Sequence, residues 1–406
     1  MTAVGHRCAT ALMVFLTCGL VTVLGVGASS AGAAPERNMD AVAGTARGGP
    51  SMVSSGGVGL SIPRPTGRHP VGVRSTFVLD PARTEPRTGG PRAIPVRVWY
   101  PARHRQGSSA PYFSAAVQAA IEQGVGVPAG LFDIDTHAML DASARRHVRG
   151  VLLFTGGFAV PVALYTGLIS ELASRGYAVV AFDHPHETFV VEQPDGSLIP
   201  SDLADDAGPG RDCSSSPSAC PVFEARLGDI GVVLGAIDDL VQGARPRTPI
   251  GIFGHSNGGA AAAVAIRRHP QIRAGVNLDG FVPPELITAG LDRPFGLMSG
   301  LDQPPEELRD IQIFLSNMRA PHRVRSLDIR HYGFSDFVVF NPQAQRADPA
   351  LGSALEAMFP TGTLDSLRAG RRALTQQRRF LVRFFDRYLE TKRGSAAGAG
   401  RSGPRR

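Results

Sequence analysis

Residues Ile250 to Ile266 read IGIFGHSNGGAAAAVAI, an apolar run that passes through Gly254-His255-Ser256-Asn257-Gly258 straight into an alanine-rich stretch. A strand that turns into a helix over so few residues presses backbone against backbone, and side chains flanking the turn would collide. Gly254 and Gly258 remove those side chains and leave Ser256 to project its hydroxyl from the end of the strand, the arrangement of a nucleophile elbow. In a chain with 48 glycines among 406 residues the pentapeptide alone is weak evidence, so the strand before it and the helix after it carry the weight. This turn commits the chain to a sheet whose strands lead into helices.

The rest of the sequence agrees with that commitment. Strand patterns fall at Val71 to Leu79, Ile94 to Tyr100, Gly150 to Phe154, Tyr177 to Phe182, Ile250 to Phe253, Ala274 to Leu278, Phe295 to Met298 and Val324 to Ile329. Helical patterns fall at Val162 to Ser174, Val222 to Val241, Gly259 to Arg268, Glu306 to Met318 and Arg371 to Lys392. Their alternation predicts an α/β fold: an eight-stranded, mostly parallel sheet with helices on both faces and the first two strands as an antiparallel edge. The last helix puts Leu374, Leu381, Phe384, Phe385 and Tyr388 on one stripe, with Arg378, Arg379 and Arg387 elsewhere, as a closing helix packed on the sheet requires. Pro101 to Arg149 and Asn341 to Leu367 match neither period and are expected to lie over the strand carboxyl ends as pocket walls.

Arg7, the apolar run Cys8 to Ala28 and the small residues Ser29 to Ala34 read as a signal peptide, residues 1–34, with cleavage after Ala33 or Ala34; a retained anchor is the competing reading. The chain then divides into a Gly-, Ser- and Pro-rich leader, 35–67, one catalytic domain, 68–393, and a disordered tail, 394–406. Export leaves only Cys213 and Cys220, which are expected to form a disulfide pinning a surface loop. The net charge of +7 is almost entirely arginine, Lys392 being the sole lysine, and is scattered among acids. Nucleic acid is therefore not an expected partner.

An activated Ser256 needs a base, and in the order strand, serine, acid, histidine the base follows the serine. Of the later histidines, His269 ends the helix leaving the elbow and His322 precedes its strand, so both sit away from the serine. His331 lies past a strand's carboxyl end, where a base belongs. Two acids follow strand ends, Asp279 and Asp302, and position alone leaves them nearly even. An oxyanion needs two backbone N–H donors, here Asn257 after the serine and Phe158 in the turn Thr155-Gly156-Gly157-Phe158. Asp183-His184-Pro185-His186-Glu187 looks like a ligand cluster, yet Pro185 stiffens it and no partner motif accompanies it, so a turn or rim role is expected and no metal or cofactor.

Several segments together are similar to one family. These are His69-Pro70-Val71-Gly72-Val73, Val98-Trp99-Tyr100-Pro101, Leu164-Tyr165, Leu172 to Tyr177, Asp183-His184-Pro185, the elbow, Leu278-Asp279-Gly280-Phe281 and His331 with Phe334-Ser335-Asp336-Phe337. From about Gly67 to Leu389 the chain resembles the secreted type II platelet-activating-factor acetylhydrolases and their bacterial lipase-like relatives. The resemblance implies an α/β-hydrolase fold, an acid at Asp279, an oxyanion donor at Phe158, and a secreted serine ester hydrolase. Its partners would be small-molecule or lipid esters, with transient contact to a lipid surface. A triacylglycerol lipase, a polyester hydrolase and a catalytically idle binding protein are the alternative readings. Gly156-Gly157 stands where the family often has His-Gly, and Asn257 where it commonly has an aromatic residue or Met, which makes the acyl pocket more polar.

Overall fold

The computed structural model describes residues 58–85, 89–201 and 221–390. The expected signal peptide, the first part of the leader, Cys213 with Cys220, and the tail lie outside the described residues. Among the described residues no helix is long and apolar enough to cross a membrane.

The amino-terminal half runs β1 (Val71–Thr84), β2 (Pro91–Pro101), α1 (Ala115–Val125), β3 (Ala138–Leu140), β4 (Val151–Thr155), α2 (Thr166–Ser174), β5 (Ala178–Phe182) and the hairpin β6 (Val190–Glu192) and β7 (Leu198–Pro200). After these come α3 (Pro221–Gly235), α4 (Ile237–Leu240), β8 (Ile250–His255), α5 (Asn257–Arg268), β9 (Ile272–Leu278) and α6 (Pro284–Ile287). The chain closes with β10 (Phe295–Ser299), α7 (Pro305–Ser316), β11 (His322–Ser326), α8 (Phe337–Ala347), α9 (Pro349–Met358) and α10 (Leu367–Leu389). The main sheet has the order β11-β10-β9-β8-β4-β5-β2-β1-β3, parallel except where β2 pairs with β1 and β5. All eight expected strands are present.

The ninth strand, β3, escapes sequence analysis because its three residues, too few for a period, join β1 through backbone pairing. The central strands are buried at every position of β4 and β5, so they read as continuous apolar runs, as strands covered on both faces must. Their alternate residues serve two cores. Leu152 and Phe154 face α2 and α10, in a cluster with Leu172, Leu381 and Phe385. Leu153 faces α3 and α5, in a cluster with Ile230, Ala261 and Ile266.

Two expectations need adjustment. The leader was to extend to Gly67, but its end is anchored: Leu60 and Ile62 are buried, and Arg378 donates to the carbonyls of Pro63 and Arg64. Low complexity concealed two apolar anchors spaced to reach the same core. Arg378 accordingly sits on the buried side of α10, where its guanidinium also reaches the Gly167 carbonyl. The residues expected to form one long helix from Val222 to Val241 divide into α3 and α4 around Ala236.

Beneath the turn that follows β4 lies a buried charge network. Asp229 is fully buried at the centre, accepting from Arg92 Nε at 2.9 Å, Arg83 Nη2 at 2.6 Å and His184 Nδ1 at 2.8 Å. Burial alone would raise the Asp229 pKa, but the hydrogen bonds from Arg92 and His184 outweigh it and hold the carboxylate well below its usual range. His184 Nε2 in turn meets Thr155 Oγ1 at 2.7 Å, and Arg226, paired with Glu187, donates to the Gly156 carbonyl at 2.7 Å. Removing one partner of such a pair strands the other in the interior. Asp229→Ala should therefore lower unfolding stability by about 3–5 kcal/mol, read from urea denaturation.

Candidate active site

Ser256 stands between β8 and α5 with φ 55° and ψ −125°, outside the regions an L-residue prefers. The surroundings explain how it is held there. A Cβ on Gly254 would lie 2.3 Å from the carbonyl carbon of Gly258, and a Cβ on Gly258 would lie 2.2 Å from the Thr155 carbonyl oxygen. Glycine at both positions lets β8, the start of α5 and the end of β4 touch. Two further glycines complete the contact, since a Cβ on Gly259 would meet Asn277 Oδ1 at 2.0 Å and one on Gly280 would meet the Ser256 carbonyl oxygen at 2.2 Å.

His331 opens a single 3₁₀ turn, His331–Phe334, after β11, and its Nδ1 lies 2.7 Å from Asp279 Oδ2. Asp279 follows β9 directly, and its other oxygen accepts from Gly300 N at 2.6 Å and Gln303 Nε2 at 3.0 Å. Asp302, the other acid considered, accepts from the backbone N–H of His331 at 3.2 Å and pairs with Arg330 at 3.4 Å. One acid therefore meets the ring and the other holds its loop. Both lie within reach of the same histidine because β9 and β10 are parallel neighbours.

Electrostatics follow from these contacts. Burial pulls the His331 pKa down, but the hydrogen bond and charge of Asp279, with Glu307 and Asp302 behind it, leave it raised above the ordinary histidine value. Burial likewise pushes Asp279 up, and the His331 hydrogen bond and charge and the Gly300 N–H leave it lowered. The pair thus favours imidazolium beside carboxylate. Glu307, facing the same site, is pushed up to about 7 by burial and by the charge of Asp279.

Ser256, Asn257, Phe158, Asp279 and His331 all line one cavity of about 780 Å³. Asn257 is the first residue of α5, where backbone N–H groups have no partner within the helix. The turn Gly156-Gly157-Phe158 lies across from it, with Gly157 N donating to Tyr165 Oη at 3.1 Å. The stretches that matched no period supply walls, as expected: Ile121, Val125 and Phe132 from one, Phe359 and Pro360 from the other. α1 brings the aliphatic Ile121 and Val125, Phe132 and Phe359 bring aromatic rings from beyond α1 and α9, and Asp302, Glu306, Glu307 and Arg330 also line the cavity.

The residues Asp183 to Glu187 each turn to a different protein group. Asp183 accepts from Val162 N at 2.9 Å, His184 bridges Asp229 and Thr155, His186 meets Glu85 at 2.7 Å, and Glu187 pairs with Arg226. The cluster is the scaffold of a turn. His255, Asp279 and His331 bring ligand-type atoms within 4.8 Å of one another, but each ring nitrogen of His255 and Nδ1 of His331 already holds a hydrogen bond. His269 ends α5, and His322 opens β11 exposed; neither lines the cavity. The roles of Tyr165, His255, Gln303 and Arg226 are not legible in the sequence, because they are contacts between distant segments; Tyr165 stood out only within a resembling segment and His255 only by its place inside the elbow.

No protein-family model matches the chain. A probable 1-alkyl-2-acetylglycerophosphocholine esterase of Arthroderma benhamiae is 29% identical over 160 residues, 39% of this chain and 38% of that protein. The match thus spans well under half the length of the curated relative. Among solved structures, a ferulic acid esterase from Streptomyces cinnamoneus superposes with a TM-score of 0.67 at 28% identity, covering 82% of this chain and 93% of the other. The chain has the α/β-hydrolase fold. A putative dienelactone hydrolase from Klebsiella pneumoniae is a more distant α/β-hydrolase neighbour, with a TM-score of 0.42 and 13% identity over 78% of this chain and 99% of that one.

In this α/β-hydrolase fold the charges around His331 can be tested without turnover. Glu307→Gln should move the midpoint of the His331 ring titration to lower pH, followed by imidazole NMR, because a negative charge that favours imidazolium is removed. Asp279→Asn should move it lower still.

Proposed function

We propose that the protein is a secreted serine carboxylic-ester hydrolase that cleaves acyl esters of lipids or related small esters through an acyl-enzyme. The observation that carries this reading is the 2.7 Å contact between His331 Nδ1 and Asp279 Oδ2 beside a serine held in a strained elbow and lining the same cavity. The names of the two similar proteins, both esterases, support it.

In the reaction so proposed, Ser256 Oγ attacks the ester carbonyl carbon while His331 Nε2 takes the hydroxyl proton. Asp279 accepts from Nδ1–H, fixing the tautomer and stabilising the imidazolium. The N–H groups of Phe158 and Asn257 receive the developing oxyanion. Collapse breaks the bond to the alcohol, which leaves with the proton from His331, and water then removes the acyl group from Ser256 by the same steps. This sequence uses no metal ion or cofactor.

A second reading, esters of bulky aromatic acids, is favoured by the aromatic lining of Phe132, Phe158, Phe189, Phe281, Phe337 and Phe359 and by the name of the structural relative. A triacylglycerol lipase or polyester hydrolase would need the same groups under a more open cleft. Initial rates on acetyl, butyryl and long-chain nitrophenyl esters, a hydroxycinnamate ester, phospholipid and polyester film separate these readings. Ser256→Ala should abolish every rate, and a fluorophosphonate that leaves Ser256 unlabelled in folded protein would point to an idle binding protein instead. Asp279→Asn should lower kcat by up to about ten-thousandfold through the wrong imidazole tautomer. Asp302→Asn should cost far less, and the reverse ranking would move the acid to Asp302.

A further inference from the structure

Behind the elbow runs a chain of hydrogen bonds that links three separate parts of the site. Gly157 N lies 3.1 Å from Tyr165 Oη, Tyr165 Oη lies 2.8 Å from His255 Nδ1, and His255 Nε2 lies 3.1 Å from the backbone oxygen of His331. Only one direction satisfies all of them. A carbonyl oxygen can only accept, so His255 Nε2 carries a hydrogen; its Nδ1 is then bare and accepts from the Tyr165 hydroxyl, whose oxygen accepts from Gly157 N–H. A second proton on His255 would turn Nδ1 into a donor facing a hydroxyl that already receives Gly157, leaving the tyrosine proton without an acceptor.

The surroundings hold this arrangement. Tyr165 and His255 are buried, with Tyr165 packed on Phe154 at 4.8 Å between ring centroids and His255 on His331 at 4.5 Å and on Phe334 at 5.9 Å. Burial, and then the charge His331 carries when protonated, keep the His255 pKa well below its usual value, so His255 stays neutral even when His331 takes up a proton. Gly157 closes the contact: a Cβ there would meet His255 Nδ1 at 3.1 Å, Tyr165 Oη at 3.3 Å and Ser256 Cβ at 3.4 Å.

We propose that Tyr165 and His255 are positioning residues that fix the distance between the oxyanion turn and the loop of His331, with Ser256 between them. The claim rests on the ester-hydrolase reading of the site. Gly157 is the neighbour of Phe158, so holding its N–H orients the next peptide toward the cavity, and the other end of the chain grips the backbone of the residue whose ring moves the proton. Tyr165 lies behind the cavity, and His255 forms part of its wall with both ring nitrogens already held by protein groups. Their effect is geometric, and displacements of about 1 Å in such a site cost on the order of a hundredfold in rate.

Tyr165→Phe removes one oxygen and keeps the ring packing. With a nitrophenyl ester as substrate, kcat should fall about ten- to a hundredfold while KM changes less than about threefold. His255→Gln, which can still donate to the His331 carbonyl, should keep at least about tenfold more kcat than His255→Phe, which cannot. In the unsubstituted protein, ¹⁵N imidazole NMR should find His255 as the neutral Nε2–H tautomer. A folded Tyr165→Phe within about twofold of full kcat, equal losses in the two His255 variants, or an Nδ1–H tautomer would each overturn the proposal. If Tyr165→Phe does not fold, the His255 pair and the tautomer decide. A protein that hydrolyses none of the esters would sink the functional reading alone, and the tautomer would still judge the hydrogen-bond chain.

Discussion

The site depends on how closely three stretches of backbone approach at the elbow. Where β8 ends, Gly254 and Gly258 touch each other and the end of β4 at distances no side chain would permit. That contact holds Ser256 at a positive φ and places the first turn of α5, with its unpartnered N–H groups, beside the turn after β4. An alanine at either glycine would force strand and helix apart and separate the donors from the serine. The cost of the serine's strain is met by the packing of the sheet around it, since β4, β8 and β9 are paired neighbours.

Polar groups buried around that turn are satisfied in two separate networks. One lies under the β4 end, where Asp229, Arg92, His184, Thr155 and Arg226 pass hydrogen bonds to the carbonyl of Gly156. The other lies behind the serine, through Tyr165 and His255 to the His331 backbone. In a low-dielectric interior an unpaired member of either network would be costly, so each network specifies one geometry. The sheet supplies the frame, and these networks fix the turns on its rim.

The cavity above the rim is floored by the loops that follow the sheet's strands and walled in part by segments outside the alternating frame. Ile121, Val125 and Phe132 come from the crossing between β2 and β4, and Phe359 from the end of α9. The same reacting groups can serve different esters according to how such walls are shaped, because the frame sets the chemistry and the walls set the fit. Asn257 and the acidic face of Asp302, Glu306 and Glu307 add polarity to a pocket that otherwise mixes aromatic and aliphatic side chains.

Strand-helix alternation, the elbow and the location of His331 past a strand end were legible because each is a local pattern whose period or spacing survives in one dimension. The short strand β3 and the pocket helices α1, α8 and α9 were not, since three paired residues have no period and the helices lie in segments whose periodicity is broken, as by Pro342 within α8. The anchoring of Leu60 and Ile62 was hidden by the low complexity around them. By itself the sequence determined an α/β sheet with a serine at its rim and a histidine past a strand's carboxyl end, because hydrophobic period and glycine spacing are properties of neighbours along the chain. Which acid meets that histidine, which carbonyl His255 grips and what walls the cavity were decided only in the tertiary structure. Those depend on contacts between residues far apart in sequence, such as Asp279 with His331 or Tyr165 with His255, which no local pattern encodes.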